Sequence, residues 1–245
     1  MPVKMVDWVA AEIGRFKPRA QALPWNAMCN LYSNTTTQQA MRDIFDVVEG
    51  ADKLGNFAPL PAIYPKHMAP IVAIGSEGTR SLVNSHWGFL TPNKSKKTGA
   101  WLKPQAWNNA RSEKIETNGL WKASFENRRC LIPATGFAEA TGRNPATYHW
   151  FRMPDVEAFA FAGIWKYQKE TVGETEVDTV VHSMVMTEAN GFMSDYHNRM
   201  PVLLSPASYE TWLTGATEDA AAHMRPAINE ALEMFGEGAG LRSEP

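Results

Sequence analysis

The chain has 245 residues, of which 44% are hydrophobic and 20% are charged, and its formal net charge is −2. This composition predicts one compact domain with a buried core, and it means that any contact with nucleic acid must come from a local cluster of positive charge. The two cysteines exclude a disulfide framework and a four-cysteine metal site, and no segment has the roughly 18 to 20 consecutive apolar residues of a membrane span.

Residues 1–28 carry six charged side chains where a signal peptide would need an apolar block, so export is not expected. We predict that they form an extension ahead of the domain. The protein is expected to be cytoplasmic and monomeric, with no membrane contact, no metal and no cofactor.

The apolar pattern first predicts a helix. Residues 36–48 begin with threonines suited to cap a helix, and Met41, Ile44, Phe45 and Val48 follow at helical spacing.

Further along the chain, β-branched and aromatic residues alternate or run together between Gly and Pro residues, as in sheet strands. The predicted elements are strands between 69 and 90, a surface loop over 91–106, a helix over about 110–127, a strand, turn and strand over 129–140, strands over 147–152, 158–165, 178–187 and 200–204, and helices over about 206–213 and 217–235. We predict an α+β fold, a single domain with a mainly antiparallel, barrel-like β core flanked by a few helices. It is expected to span 29–235 and to be followed by a flexible tail over 236–245.

Positive charge is concentrated between residues 94 and 129, which contain nine Lys and Arg residues and three Glu residues. Trp101, Trp107 and Trp121 lie in the same segment, and such a mixture is typical of surfaces that follow a single strand and stack its bases. Lys94, Lys97 and Lys122 are therefore candidate DNA-binding residues. The alternative is a solvated loop with tryptophans in the core.

Four polar residues are candidates for chemistry, although each also has an ordinary structural explanation. Cys29 is either a nucleophile or a small buried apolar residue, and His197 is either a proton carrier or a structural residue. Glu139 interrupts the apolar run Phe137–Ala140, where a carboxylate is costly unless it is paired or used. Asn109 precedes a predicted helix and has the residue type of a helix cap.

Five segments in order resemble the motifs of the SOS-response-associated peptidase (SRAP) family, whose members shield abasic sites in single-stranded DNA. They are MCNLYS at 28–33, NNARSE at 108–113, RCLIPATGFAEA at 129–140, TEAN at 187–190 and HNRMPVLL at 197–204. The resemblance runs from Met28 to about Thr214, and five ordered motifs are far more specific than any one of them.

The resemblance implies a role for each candidate. The family's cysteine, which becomes N-terminal when the initiator methionine is removed, falls on Cys29. Its asparagine, glutamate and histidine fall on Asn109, Glu139 and His197, which we expect to orient the cysteine, to act as the base near its amine and to exchange a proton with the sugar oxygen.

The resemblance also implies a DNA-binding surface. Arg111 and Arg199 are expected to hold phosphates, and Trp87 of the HWGFL segment is expected to stack where the strand bends. Leu31 stands where many members have an arginine, so the Lys94–Lys97 cluster is expected to replace that contact.

This assignment predicts covalent capture of abasic single-stranded DNA, with the protein associated with the nucleoid when it is bound. Only an N-terminal cysteine offers an amine and a thiol together, because an amide nitrogen is a poor nucleophile. Residues 1–28 must therefore be absent from the active form. Either Met28 is the true start, which we favour, or the protein cleaves its own Met28–Cys29 bond.

Two other functions remain open at this point. Cys29, His197 and Asn109 would also suit a cysteine peptidase that acts on peptides or on its own leader. A non-catalytic module that binds single-stranded DNA would use the lysines and tryptophans alone, with Cys29 merely packed.

Overall fold

The computed structural model describes residues 29–172 and 175–245, and most of its ordered elements are strands. The strands are β1 (Tyr32–Asn34), β2 (Leu60–Ile63), β3 (Met68–Ile74), β4 (Arg80–Trp87), β5 (Phe89–Lys94), β6 (Trp101–Trp107), β7 (Asn109–Arg111), β8 (Arg129–Ala134), β9 (Gly136–Thr141), β10 (Thr147–Arg152), β11 (Phe159–Val172), β12 (Thr175–Glu188), β13 (Arg199–Pro201), β14 (Leu203–Leu204) and β15 (Glu233–Ala239). The α-helices are α1 (Gln38–Phe45), α2 (Ser112–Ile115), α3 (Lys122–Asn127), α4 (Tyr209–Thr214) and α5 (Thr217–Ala221).

Five of these strands close into a barrel. They pair in the order β12, β4, β3, β8 and β11, and β11 pairs again with β12. All of these pairings are antiparallel except β12 with β4. The short strands β7, β13 and β14 extend the barrel sheet. The predicted α+β fold with a mainly antiparallel, barrel-like core is thereby confirmed.

A second sheet packs against one side of the barrel, with strand order β15, β10, β9, β1 and β2. Alternation along the strands separates two apolar clusters, because successive side chains point to opposite faces. Leu131 of β8 belongs to one cluster, and its neighbours Cys130 and Ile132 belong to the other. The second cluster also contains Phe137 of β9, so it lies between the barrel and the second sheet.

Three predicted elements differ from the structure. The surface loop over 91–106 is largely a hairpin of β5 and β6. The helix over 110–127 is divided into α2 and α3, which are separated by the segment that contains Asn118 and Gly119. Gly favours turns over helix interiors, which accounts for the break.

The C-terminal helix over 217–235 is wrong beyond α5. Pro226 lacks the N–H that a continuing helix needs, and the chain instead enters β15, which pairs with β10. The boundary expected at 235 therefore falls inside a strand. The expected flexible tail is also packed in part, because the Glu244 N–H donates to the Pro61 carbonyl over 2.8 Å.

The prediction for residues 1–28 lies outside the described residues. Among those that the structure describes, no helix is long and apolar enough to span a membrane.

His182 of β12 makes stability depend on pH. Its side chain is fully buried, and burial, followed by the charge of nearby His86, lowers its pKa to about 3. The unfolded chain therefore binds one more proton between pH 6.5 and 3, so stability falls as pH falls through this window. We expect the parent to lose about 2 kcal/mol more than His182→Gln between pH 7 and 5, measured by urea unfolding. Equal losses in the two proteins would contradict this assignment.

Candidate active site

Cys29 is fully buried in the layer between the barrel and the second sheet. Its carbonyl accepts hydrogen bonds from the side-chain amides of Asn109, over 2.8 Å, and Asn108, over 3.3 Å. Its thiol donates to the Leu31 carbonyl over 3.7 Å. Cys29 is thus held in place by the side-chain amides of Asn108 and Asn109, called the amide pair below, and by the Leu31 carbonyl just ahead of β1.

The amide pair is positioned by pairing of β7 with β12. Asn109 lies opposite Met184 in a parallel register, and the Met184 N–H donates to the Asn108 carbonyl over 2.9 Å. Asn109 is buried, and its Oδ1 has no hydrogen-bond partner among the described residues. Asn108 was not predicted as a site residue. It belongs to the NNARSE segment, but nothing in the sequence marks it as different from its neighbours.

Trp87 does not lie on the surface, which corrects the expectation that it stacks on DNA. It is fully buried at the end of β4, and its indole N–H donates to the same Asn108 carbonyl over 2.8 Å. Tyr32 packs edge-on against it, with ring centroids 4.9 Å apart. Trp87 therefore helps to position the amide pair through the Asn108 carbonyl, and its ring is not exposed for stacking on a nucleobase.

Glu139 of β9 is a buried carboxyl group beside Cys29. It is 4% exposed, and its Oε1 has no hydrogen-bond partner among the described residues. Burial raises its pKa well above the ordinary value. Burial also raises the pKa of the Cys29 thiol, and the neighbouring Glu139 charge raises it further. The Glu139 carboxyl group is therefore close enough to the Cys29 thiol to raise the pKa of that thiol.

His197 precedes β13, on the other side of β12 from the amide pair. Its Nδ1 lies 3.0 Å from the backbone nitrogen of Arg199 and 3.1 Å from the Arg199 carbonyl oxygen. No hydrogen bond joins it to Cys29, Asn109 or Glu139 among the described contacts. The structure thus brings Cys29, Asn109 and Glu139 together. His197 lies apart from them, in the segment just before β13.

The two arginines differ in their availability. Arg111 ends β7 opposite Met186 and is half-buried, with no ion pair among the described contacts. Arg199 is instead bound through both terminal nitrogens to the Glu113 carboxylate, with one contact of 2.8 Å. Arg199 is therefore not free to hold a phosphate as the structure stands.

A groove of about 840 Å³ runs from the amide pair to the β5–β6 hairpin. Its lining includes Asn109, Arg111, Trp107, Lys96 and Lys114. The Trp107 side chain is 42% exposed, and its indole N–H donates to the Thr91 hydroxyl over 2.9 Å. An exposed aromatic ring and three positive charges thus line the groove that contains the amide pair.

The three lysines predicted to bind DNA lie outside the lining of this groove. Lys94 packs 4.0 Å from the centre of the Trp101 ring, and Lys97 is exposed at the hairpin. Lys122 pairs with Glu126 on α3 over 3.8 Å. They add positive charge around the groove without lining it.

His149 of β10 is a further residue near the site, which no pattern in the sequence indicates. It lies directly opposite Glu139, and paired residues project to the same face. Its Nε2 is 2.7 Å from the Thr141 hydroxyl, and its ring lies 4.9 Å from that of Tyr196, the neighbour of His197. Burial lowers its pKa, whereas nearby Glu237 raises it. Only the strand register reveals this proximity.

Within the described ranges, no group of three or more His, Cys, Asp and Glu residues is arranged to hold a metal ion. The groups that the site brings together are the Cys29 thiol, the side-chain amides of Asn108 and Asn109, and the Glu139 carboxyl group.

The comparisons agree with the motifs. The family model described as SOS response associated peptidase (SRAP) matches residues 28–236. The chain is 28% identical over 190 residues to the abasic site processing protein YoaM of Bacillus subtilis (strain 168), covering 76% of this chain and 79% of that protein. It is 27% identical over 183 residues to the abasic site processing protein YoqW of the same strain, covering 71% and 78%.

Solved structures share the fold at lower identity. A protein from Bordetella bronchiseptica has a TM-score of 0.67 and 21% identity, covering 86% of this chain and 99% of that one. A protein from Bacteroides thetaiotaomicron has a TM-score of 0.61 and 20% identity, covering 84% and 91%. Because the family model spans most of the sequence and includes every motif described above, the chain belongs to the SOS response associated peptidase (SRAP) family.

Proposed function

We propose that this protein recognises abasic sites in single-stranded DNA and captures them covalently through Cys29. Membership of the SRAP family and the names of the Bacillus relatives support the abasic site as the target. One observation carries the chemical part of the proposal. Next to Cys29, two buried oxygens, Asn109 Oδ1 and Glu139 Oε1, lack hydrogen-bond partners among the described residues. Such acceptors suit an amine that exchanges protons during a reaction.

The reaction uses both nucleophiles of an N-terminal cysteine. The α-amine of Cys29 adds to the aldehyde of the ring-opened sugar, and loss of one water gives an imine. The thiol sulfur then adds to the imine carbon while its proton passes to the nitrogen, which closes a thiazolidine ring. No oxidant or reductant is needed, and the product is the sum of protein and DNA less one water.

The burial of the site favours proton transfer between its groups. A thiol whose pKa is raised stays protonated at neutral pH, so it needs a base when it attacks. Glu139 has a raised pKa of its own, which suits a group that takes and returns protons near neutral pH. His197 is assigned to exchange a proton with the sugar oxygen during ring opening.

The proposal requires a free Cys29 amine. The family match begins at residue 28, which favours Met28 as the first residue translated and then removed. Self-cleavage of the Met28–Cys29 bond is the second route to the same product.

A general cysteine peptidase is less well supported by the site. A peptidase thiol is activated by a nearby histidine, whereas the Cys29 thiol donates to the Leu31 carbonyl and has a raised pKa. Peptide turnover by a form that retains residues 1–28 would favour the peptidase.

The proposal is tested with a single-stranded oligonucleotide that contains one abasic site. We expect an adduct that survives denaturation without borohydride, with the mass of the chain from Cys29 plus the DNA less one water. An adduct that requires borohydride, or that carries residues 1–28, would exclude the thiazolidine. Undamaged DNA of the same sequence is the control.

The groove is proposed to guide the strand to the site. Arg111, Lys96 and Lys114 would meet phosphates, and Trp107 would stack on a base. Trp107→Ala is expected to weaken binding of single-stranded DNA by roughly fivefold to a hundredfold, since base stacking is worth about 1–3 kcal/mol. Fluorescence anisotropy measures the change, and Tyr167→Ala is the matched control because Tyr167 is exposed but does not line this groove. Equal weakening by both substitutions would remove Trp107 from the binding surface.

A further inference from the structure

The ion pair between Arg199 and Glu113 joins the two parts of the site. Glu113 lies in α2, directly after the strand that carries Asn109 and Arg111, and Arg199 begins β13, directly after the His197 loop. Both terminal nitrogens of Arg199 donate to the Glu113 carboxylate, one to each oxygen. The side chain of Arg199 is 21% exposed and that of Glu113 is 45% exposed, so the pair is open to solvent on one side.

The geometry of the pair resembles the way an arginine holds a phosphate. A guanidinium group offers two parallel N–H donors that fit either a carboxylate or a phosphate, and it cannot fit both with the same two donors. The hydrogen bond from Arg199 lowers the pKa of Glu113, and the charge of Arg111 lowers it further. Glu113 therefore stays negatively charged at neutral pH between two arginines.

From this geometry we infer that Glu113 determines how tightly the protein binds intact DNA, by occupying Arg199 with a carboxylate in the position of a phosphate. DNA must displace Glu113 before it can use Arg199. Undamaged single strands form no covalent bond, so breaking the ion pair weakens their binding. At an abasic site the covalent bond outweighs the free energy lost when the ion pair breaks. This inference rests on the proposed function, because it takes DNA as the ligand of this surface.

The test is the affinity for undamaged single-stranded DNA, which needs no crosslinking. We expect Glu113→Gln to bind about fivefold more tightly than the parent. This change in affinity corresponds to the free energy of a partly exposed ion pair. Glu116→Gln is the matched control, since it removes the same charge from an exposed position one turn along. It is expected to change the affinity by less than about twofold.

The gain must also depend on Arg199. In the double variant Glu113→Gln with Arg199→Gln, the tighter binding is expected to disappear. Should Glu113→Gln not fold, as judged by circular dichroism, Glu113→Asp shortens the carboxylate and is expected to give a smaller gain.

Two outcomes overturn the inference. The first is that Glu113→Gln binds no more tightly than Glu116→Gln, so that the ion pair only stabilises the structure. The second is that the gain in affinity of Glu113→Gln persists when Arg199 is also replaced. Covalent capture of abasic DNA is scored separately in the same variants. A protein that shows the affinity gain without any covalent adduct would retain this inference and lose the proposed chemistry.

Discussion

Replacing Cys29 with alanine is expected to abolish the adduct that forms with abasic DNA without borohydride. The variant can still carry an N-terminal amine, so it can form an imine, but it has no sulfur to close the ring. An imine is reversible, and borohydride reduction should therefore trap the variant on DNA. Denaturing gels with and without borohydride measure the two species, and reversible binding of undamaged DNA is expected to stay within about twofold because Cys29 is buried.

Cys130→Ala is the matched control for this substitution. Cys130 is the other cysteine of the chain, and it is fully buried in the same apolar cluster as Cys29. Both variants remove one sulfur atom from the core and should cost similar stability. Capture is expected to remain in Cys130→Ala. A borohydride-independent adduct in Cys29→Ala would mean that another group makes the bond, and loss of capture in both variants would point to damage to the core.

The sequence could predict the class of fold because its strands are long and regular. The segment 178–187 falls inside β12, and all but the first residue of the segment 158–165 falls inside β11; the β-branched and aromatic residues of both suit a pleated surface. The strand order of the barrel could not be predicted, because the parallel pairing of β12 with β4 joins segments that are distant in the chain. The helix predicted over 217–235 from its apolar spacing is wrong beyond α5, because Pro226 interrupts that pattern.

The candidate site depended on motifs more than on physical reasoning from single residues. Glu139 could be selected because a carboxylate interrupts an apolar strand, and it lies buried in that strand. Trp87 and Trp107 could not be told apart, since burial of a tryptophan depends on its neighbours in space. The position of His149 beside Glu139 could be found only from the register of β9 against β10. The ion pair between Arg199 and Glu113 could be found only from the distance between two segments that are far apart in the chain. The catalytic roles of Cys29, Asn109, Glu139 and His197 stay predictions.

Glu139→Gln is expected to slow capture by about a hundredfold and to stabilise the protein at the same time. The rate falls because the amide cannot take a proton from the amine or the thiol, and general acid–base help is worth about this factor. In the parent, the rate should rise with pH through the raised pKa of Glu139, because only the ionised carboxylate is a base. The variant is expected to lose this rise, as measured by quenched reactions on denaturing gels from pH 6 to 9.

The stability change follows from the same shift in pKa. Burial raises the pKa of Glu139 in the folded state, so the folded chain binds more protons than the unfolded chain above pH 4.5. The parent therefore loses stability as pH rises through the folded-state pKa, while Glu139→Gln has no charge to bury. We expect the melting temperature of the variant to exceed that of the parent at pH 8, and the difference to shrink at pH 5.

Glu233→Gln provides the control for both measurements. Glu233 belongs to the same sheet as Glu139, but it is half exposed and pairs with Arg152 at the surface over 2.7 Å. Its removal should leave the capture rate unchanged and should not raise the melting temperature. Should Glu139→Gln capture abasic DNA as fast as the parent, with the same pH dependence, Glu139 would be a structural acid and the base would have to be sought elsewhere. His149, which faces the same layer from the neighbouring strand, would then be the first residue to replace.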